Sequence, residues 1–185
     1  MNNGKLLFKQ YMNVLAGHIV AVIAEAFLQL FLLGFLFMKD AFRPLGGVLF
    51  VIIYAAIIYC RAKKAAEADN KSYSVLKPDL KKGLLMGVMI AALTFLMFGI
   101  DKGLWAAFGS DGVISGVVPK VFNVIFVVWI IPYYGFMGNG ANVVTVTVLV
   151  LMAVIPVISS FLGYFAGCKG INITEKLNLS MYEKK

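Results

Sequence analysis

The sequence predicts an all-α membrane protein, a polytopic bundle of transmembrane helices. Two observations lead to this fold class. Of the 185 residues, 61% are hydrophobic and only 14% are charged, whereas soluble domains are about half apolar and a quarter charged. The apolar residues also lie in long blocks, and not at the helical or strand period that a water-facing core requires.

Five apolar blocks approach or exceed the roughly 20 residues that a helix needs to cross a bilayer. They are residues 14–38, 45–60, 83–100, 117–137 and 143–167. Block two is short and needs residues from the flanking FRPLGG or RAKK sequence to complete a crossing. Block one is longer than the apolar part of a signal peptide, about 7–15 residues, and no A-x-A-like site follows it. We therefore expect block one to be retained as a first span.

The blocks form one predicted domain, residues 1–168, followed by a polar tail, residues 169–185. The one long polar connection, residues 61–82, carries seven Lys or Arg residues. Its first half favours helix and is expected to extend block two into water, and Pro78 ends any regular element there.

Cations beside the spans predict the orientation, because Lys and Arg accumulate in cytoplasmic loops. With five spans, nine cations lie on the side of the N-terminus and loop 61–82, and eight lie on the other. The high density of positive charge in loop 61–82 decides the orientation. We therefore place this loop and the N-terminus on the cytoplasmic side of a plasma (inner) membrane. With five spans, the tail 169–185 then lies on the outside, which conflicts with the tendency of Lys and Arg to accumulate in the cytoplasm. Two alternatives stay open: block four, with Pro132 and the glycine-rich stretch 135–140, is re-entrant, or the protein inserts in both orientations.

Block one contains three polar residues in an otherwise apolar stretch, HIVAVIAEAFLQL. At 100° per residue, His18, Glu25 and Gln29 lie within about 40° of one helix face. An ionisable group near mid-membrane costs roughly 2.5–3.5 kcal/mol, so this face should meet protein or water. These three residues, with Asn123 of block four, are candidates for binding a solute or ion. The alternative is a polar clasp that holds two helices together.

Blocks three and five carry stripes of small residues. These are Gly83, Gly87 and Ala91 in block three and Ser160, Gly163 and Gly167 in block five. Lipid provides no hydrophobic drive for helix association, so small residues that allow close backbone approach are typical of packing faces. We expect these stripes to pack within the fold or between subunits.

Neither an enzyme nor a bound cofactor or metal is predicted. The chain has one histidine, its cysteines Cys60 and Cys168 form no CxxC pair, and no H-E-x-x-H, G-x-S-x-G or P-loop motif occurs. The chain has a net charge of +8, and its cations flank the apolar blocks. We expect these cations to set the membrane topology and to contact anionic lipid headgroups at loop 61–82, and not to bind nucleic acid.

The leading hypothesis is that the protein binds or passes a small solute or ion. It would do so as a homo-oligomer or as the membrane subunit of a transport assembly. The alternative is a non-transporting scaffold or accessory subunit that binds protein partners through blocks three and five. The two hypotheses differ in whether His18, Glu25 and Gln29 line a cavity or a dry helix contact.

Overall fold

The computed structural model describes residues 3–31, 42–72, 74–108, 117–137 and 144–171. Every regular element in these ranges is helical, as the sequence predicted. The elements are α1 (Asn3–Phe31), α2 (Arg43–Asp69), α3 (Leu80–Phe108), α4 (Val117–Trp129), a 3₁₀ helix (Ile131–Phe136) and α5 (Val146–Cys168). Helices α1, α2, α3 and α5 are long and apolar enough to cross a membrane. Block four differs, because it forms the 13-residue α4 and the 3₁₀ helix.

The distribution of side chains is that of a protein surrounded by lipid. Large apolar side chains cover the outside of the bundle; Phe27 is 60% exposed, and Leu30 and Val146 are each 77% exposed. Polar side chains such as Glu25 and Asp101 are fully buried. A soluble protein rarely exposes contiguous apolar surface on this scale. Helices suit this environment because they satisfy their own backbone hydrogen bonds.

Helix α5 has a defined start and a defined end. The Thr145 side chain accepts a hydrogen bond from the Val148 N–H at 3.3 Å and so caps the first turn. At the other end, Gly170 has a φ of +62° and the Ile171 N–H donates to the Ala166 carbonyl at 2.9 Å. This is the Schellman arrangement, which favours glycine because the backbone is left-handed there. The alternating Val and Thr residues at the start of α5 therefore form a helix despite their strand-like pattern.

The four long helices alternate in direction. The Arg61 side chain of α2 donates to the Asn13 side chain of α1 at 3.3 Å, so the end of α2 lies beside the start of α1. Gly83 near the start of α3 packs on Tyr164 near the end of α5. We call this end of the bundle, which holds the connection between α2 and α3, the loop end. The other end, where α2 and α5 begin and α3 finishes, is the opposite end.

Glycines bring the backbone of α5 against α2. A Cβ atom added to Gly163 would collide with the Tyr59 carbonyl oxygen, and one added to Gly167 would lie 2.5 Å from the Lys63 carbonyl oxygen. Both glycines are buried. The side chain is therefore excluded at these positions by the backbone of the neighbouring helix, which has no room to move aside.

The same helix packs on α3 through its other small residues. A Cβ atom on Gly83 would lie 2.5 Å from the Tyr164 Cβ, and one on Gly87 would collide with the Ser160 hydroxyl and the Val157 Cα. Ala91, one turn further along α3, is also buried. The two stripes of small residues thus lie in contacts within this chain.

Helix α4 lies alongside the second half of α3 and runs in the opposite direction. The Asn123 side-chain amide donates to the Asp101 carboxylate at 3.0 Å, near the end of α3. The Trp129 indole N–H donates to the Thr94 hydroxyl at 3.1 Å, near the middle of α3. Helix α4 therefore begins at the opposite end of the bundle and finishes about halfway along it.

The 3₁₀ helix leads the chain back to the opposite end. Pro132 lies in its first turn and has no N–H, so the hydrogen-bonding pattern of α4 cannot continue through it. Three residues later, a Cβ atom on Gly135 would collide with the Gly47 Cα and would lie 2.6 Å from the Arg43 carbonyl oxygen. Gly47 and Arg43 belong to the first turns of α2, at the opposite end.

The close approach of α5 to α2 predicts that Gly163→Leu is strongly destabilising. A leucine side chain would have to displace the backbone of α2 at Tyr59, so we expect a loss of at least about 3 kcal/mol in unfolding free energy. The measurement is thermal unfolding in detergent, with size-exclusion chromatography as a check on folding.

Gly99→Leu is the matched control for this substitution. Gly99 is also inside a long helix, but a Cβ atom there would meet nothing within 4 Å among the described residues. Gly99→Leu should therefore leave the melting temperature almost unchanged. Equal melting temperatures for the two variants would show that α5 does not pack on α2 at Gly163.

Candidate functional site

A buried polar cluster lies between α1, α2 and the end of α4. His18 of α1 is 1% exposed, and its Nδ1 atom lies 3.0 Å from the Tyr54 hydroxyl of α2. The His18 ring also packs on the Trp129 ring with the ring centroids 4.5 Å apart. The imidazole is thus held from two sides, by a hydroxyl group and by an aromatic face.

The cluster continues through a pair of tyrosines to Glu25. Tyr54 and Tyr133, from α2 and the 3₁₀ helix, are both at most 2% exposed and pack edge to face at 5.8 Å between ring centroids. Their hydroxyl groups interact, and the Glu25 carboxylate lies near enough to act on both through its charge but hydrogen-bonds to neither. Glu25 is 0% exposed and lies two turns along α1 from His18. We call His18, Glu25, Tyr54, Tyr133 and Trp129 the central cluster.

Two members of the central cluster have unused hydrogen-bonding capacity. Both oxygens of Glu25 and the Nε2 atom of His18 are buried, and none has a hydrogen-bond partner in the part of the chain that the structure describes. Leaving such groups unpaired in an apolar interior costs several kcal/mol. Buried polar groups in native proteins are usually paired with another protein group, a water molecule or an ion.

The chemistry of the central cluster suits a proton or a small cation. Carboxylate and hydroxyl oxygens are hard donors that prefer alkali or alkaline-earth cations. Carboxylate, phenol and imidazole groups also exchange protons with one another at hydrogen-bonding distance. No Lys or Arg forms an ion pair with Glu25 among the described residues. Within the described ranges, the site therefore has an acidic group without a counter-ion.

The structure brings together two of the four predicted ligand candidates. His18 and Glu25 are both buried in the central cluster, whereas Gln29 is only partly buried. Asn123 lies elsewhere, because its amide is bonded to Asp101. Asp101, its partner, lies inside α3 and is 0% exposed.

Sequence reasoning missed the aromatic members of the central cluster. Tyr54 lies within block two and Trp129 and Tyr133 within block four. Aromatic residues with a polar tip are common at membrane interfaces, so they attract no attention in an apolar block. Their burial beside His18 and Glu25 depends on the path of α4, which no local pattern shows.

A second polar cluster lies at the loop end, around Asp69. This carboxylate is 3% exposed and accepts hydrogen bonds from the Gln10 amide at 2.5 Å, the Lys82 ammonium at 2.7 Å and the Tyr164 hydroxyl at 2.6 Å. These partners come from α1, α3 and α5, while Asp69 ends α2. The Asp69 cluster therefore joins all four long helices. It was also missed, because an acidic residue in a predicted polar loop gives no sign of burial.

Comparison with known proteins identifies no relative. No protein-family model matches the chain, and no curated protein and no solved structure shows significant similarity to it. Functional inference therefore depends on the geometry of the two polar clusters.

The Asp69 cluster predicts a large effect of Asp69→Asn on stability. The change leaves the Lys82 ammonium, whose side chain is 13% exposed, without its carboxylate. Removing one partner of a buried ion pair typically costs about 3–5 kcal/mol. Thermal unfolding in detergent measures the loss.

Glu67→Gln is the control, because it makes the same change in charge on the same helix. Glu67 is 44% exposed and pairs with Lys63 at 3.6 Å, an interaction expected to contribute less than about 0.5 kcal/mol. If Asp69→Asn melts no lower than Glu67→Gln, the Asp69 cluster does not hold the helices together.

Proposed function

We propose that this protein binds a small cation or proton at the central cluster and passes it across the plasma (inner) membrane. It would act as a homo-oligomer or as the membrane subunit of a transport assembly. The observation that carries the proposal is Glu25, a fully buried carboxylate in a membrane-embedded helix whose two oxygens have no partner among the described residues.

The surroundings of Glu25 favour a cation over an anion or a neutral solute. No described basic side chain forms an ion pair with Glu25, so a bound cation would be the partner of its ionised form. The nearby groups, the Tyr54 and Tyr133 hydroxyls, can donate or accept a hydrogen bond. The free Nε2 atom of His18 offers a further proton acceptor or donor in the same buried space. A bound cation or water molecule would bridge from these groups to the Glu25 oxygens, which have no described hydrogen-bond partner.

We also propose a topology of four crossing helices and one re-entrant segment. Helix α4 enters from the opposite end and stops level with Thr94 of α3, and the 3₁₀ helix returns to Gly47 of α2. The central cluster then lies where this segment turns, near mid-membrane. Broken helices of this kind are tolerated in membranes where they are buried in protein or line a water-filled cavity, and they often form ion or substrate sites.

The re-entrant topology removes the conflict over charge. Four crossings put the N-terminus, the loop 61–82 and the start of the tail on one side. That side then has thirteen of the cations: Lys5, Lys9, Arg61, Lys63, Lys64, Lys71, Lys77, Lys81, Lys82, Lys169, Lys176, Lys184 and Lys185. The other side has four: Lys39, Arg43, Lys102 and Lys120. This asymmetry supports a cytoplasmic loop end.

The alternative function is a non-transporting scaffold or accessory subunit. The faces predicted to bind its partners are already occupied within the chain, at Gly83 and Gly87 on α3 and at Gly163 and Gly167 on α5. A clasp at Glu25 would also need a partner side chain, and the described residues supply none. Both observations favour the transport proposal over the scaffold.

The transport proposal predicts that Glu25→Gln abolishes flux and leaves the fold intact. Glutamine keeps the shape and a hydrogen-bonding amide but cannot carry the charge, so flux should fall at least about tenfold. The assay uses the full chain in liposomes loaded with a pH-sensitive or cation-sensitive dye. Thermal unfolding of the same samples checks that the variant is folded.

Glu67→Gln is the control for flux, since Glu67 is exposed and lies outside the central cluster. It should transport as the wild type does. Equal fluxes for wild type and Glu25→Gln, both above empty liposomes, would remove Glu25 from the mechanism. Absence of proton, Na⁺ and K⁺ flux with wild-type protein would favour the accessory-subunit alternative.

The proposed topology predicts that the loop 61–82 and the tail 169–185 are both cytoplasmic. Single cysteines at positions 71 and 176, in a variant without Cys60 and Cys168, should resist a membrane-impermeant thiol reagent in intact cells. Both should react once the membrane is permeabilised.

Labelling separates the topologies because each gives its own pattern. Reaction of position 176 alone in intact cells would establish five crossings and an external tail. Reaction of both positions at about half efficiency would establish insertion in both orientations.

A further inference from the structure

A groove runs along the outside of the bundle between α1 and α2, at the loop end. Its volume is about 610 Å³. Its lining combines apolar side chains with two lysines and two amides: Leu6, Lys9, Gln10, Met12, Asn13, Lys64, Ala65 and Ala68. The groove is separate from the central cluster, which lies deeper along α1.

The groove continues towards the middle of the bundle with a different character. A second depression of about 400 Å³ lies further along the same two helices. It is lined by Val20, Ala56, Ile57 and Cys60, with Arg61 and Lys64 at its edge. Lys64 lines both parts, so a basic and amide-rich section leads directly into an apolar one.

The basic section lies at the level of lipid headgroups. Helix α2 has 27 residues and is about 40 Å long, about 10 Å longer than the hydrocarbon core. Its apolar block ends at Cys60, so Arg61 and Lys64 are the first residues to leave the hydrocarbon. The apolar section, around Ala56 and Val20, lies at the depth of the acyl chains.

The charge of the groove is positive and is not cancelled by nearby acids. Lys9 and Lys64 form no ion pair within the described ranges. The two acidic residues near the end of α2 have other partners, because Asp69 binds Lys82 and Glu67 binds Lys63. An anion between Lys9 and Lys64 would therefore meet two ammonium groups that form no ion pair with a described acid.

We propose that this groove binds one anionic glycerophospholipid. Its phosphate would lie between Lys9 and Lys64, with the Arg61 guanidinium below, and one acyl chain would lie along Val20, Ala56 and Ile57. A soluble phosphate would use only the basic section and a zwitterionic lipid would gain little from the two lysines. The combination of a basic section at headgroup depth with an apolar section below it matches an anionic lipid alone.

Native mass spectrometry of the detergent-purified full chain tests the proposal, with dioleoyl phosphatidylglycerol and dioleoyl phosphatidylcholine as probes. The wild type should retain one phosphatidylglycerol in preference to phosphatidylcholine. Lys9→Gln/Lys64→Gln should weaken phosphatidylglycerol binding by about 10- to 30-fold, the contribution of two lysines beside an anionic headgroup. Ala56→Trp should weaken binding of the same lipid by filling the apolar section.

Matched controls separate the groove from general surface charge. Lys5→Gln/Lys81→Gln removes two exposed lysines at the same end of the bundle, and Ala92→Trp adds a tryptophan to an exposed position on α3. Both controls should bind phosphatidylglycerol as the wild type does. Equal loss in the controls and the groove variants would overturn the proposal, because it would indicate non-specific attraction.

Three further outcomes would also overturn it. Equal retention of the two lipids by the wild type would mean that the lysines do not select a charged headgroup, and retention of neither would mean that another molecule covers the groove. Displacement of bound phosphatidylglycerol by glycerol 1-phosphate at equal concentration would identify a free-phosphate site in place of a lipid site.

Discussion

The close contact of α5 with α2 and α3 is the interaction on which the rest of this structure depends. Apolar side chains are as well solvated by lipid as by one another, so helices associate in a membrane mainly through packing and polar contacts. Gly163 and Gly167 bring α5 to the backbone of α2, and Gly83 and Gly87 bring it to α3. Because α5 occupies this position, α2 and α3 are set on either side of it and provide the surfaces for α1 and α4.

The two polar clusters differ in how fully their groups are paired, and this difference separates their roles. At the loop end, Asp69 has three hydrogen-bond donors from three other helices. A fully paired buried network of this kind rigidifies a structure. In the central cluster, Glu25 and the Nε2 atom of His18 have no described partner. The first cluster explains how the helices are held together, and the second has the unpaired groups on which the proposed binding site depends.

The path of α4 connects the fold to the proposed function. Trp129, the last residue of α4, packs on the His18 ring, and Tyr133, in the 3₁₀ helix that follows, packs on Tyr54. The proposed re-entrant segment therefore supplies the aromatic half of the central cluster, and it also gives the cation distribution that a cytoplasmic loop end requires.

Several features of this protein were determined by the sequence alone. The apolar blocks made the chain a helical membrane protein, because composition decides which solvent a helix can face. Helical periodicity placed His18 and Glu25 on one face of α1, and small residues at spacings of three and four marked the faces where α3 and α5 pack. These features are local, since they depend on residues within a few turns of one another.

Tertiary structure decided the features that depend on contacts between distant segments. For block four the sequence left a crossing path and a re-entrant path both open. The burial of Asp69, the pairing of Asn123 with Asp101 and the meeting of Tyr54, Tyr133 and Trp129 around His18 were not predictable. Each needs the positions of two or more helices at once. A tyrosine or an aspartate has the same local sequence whether it faces lipid, water or a neighbouring helix, and only the packing of the bundle distinguishes these environments.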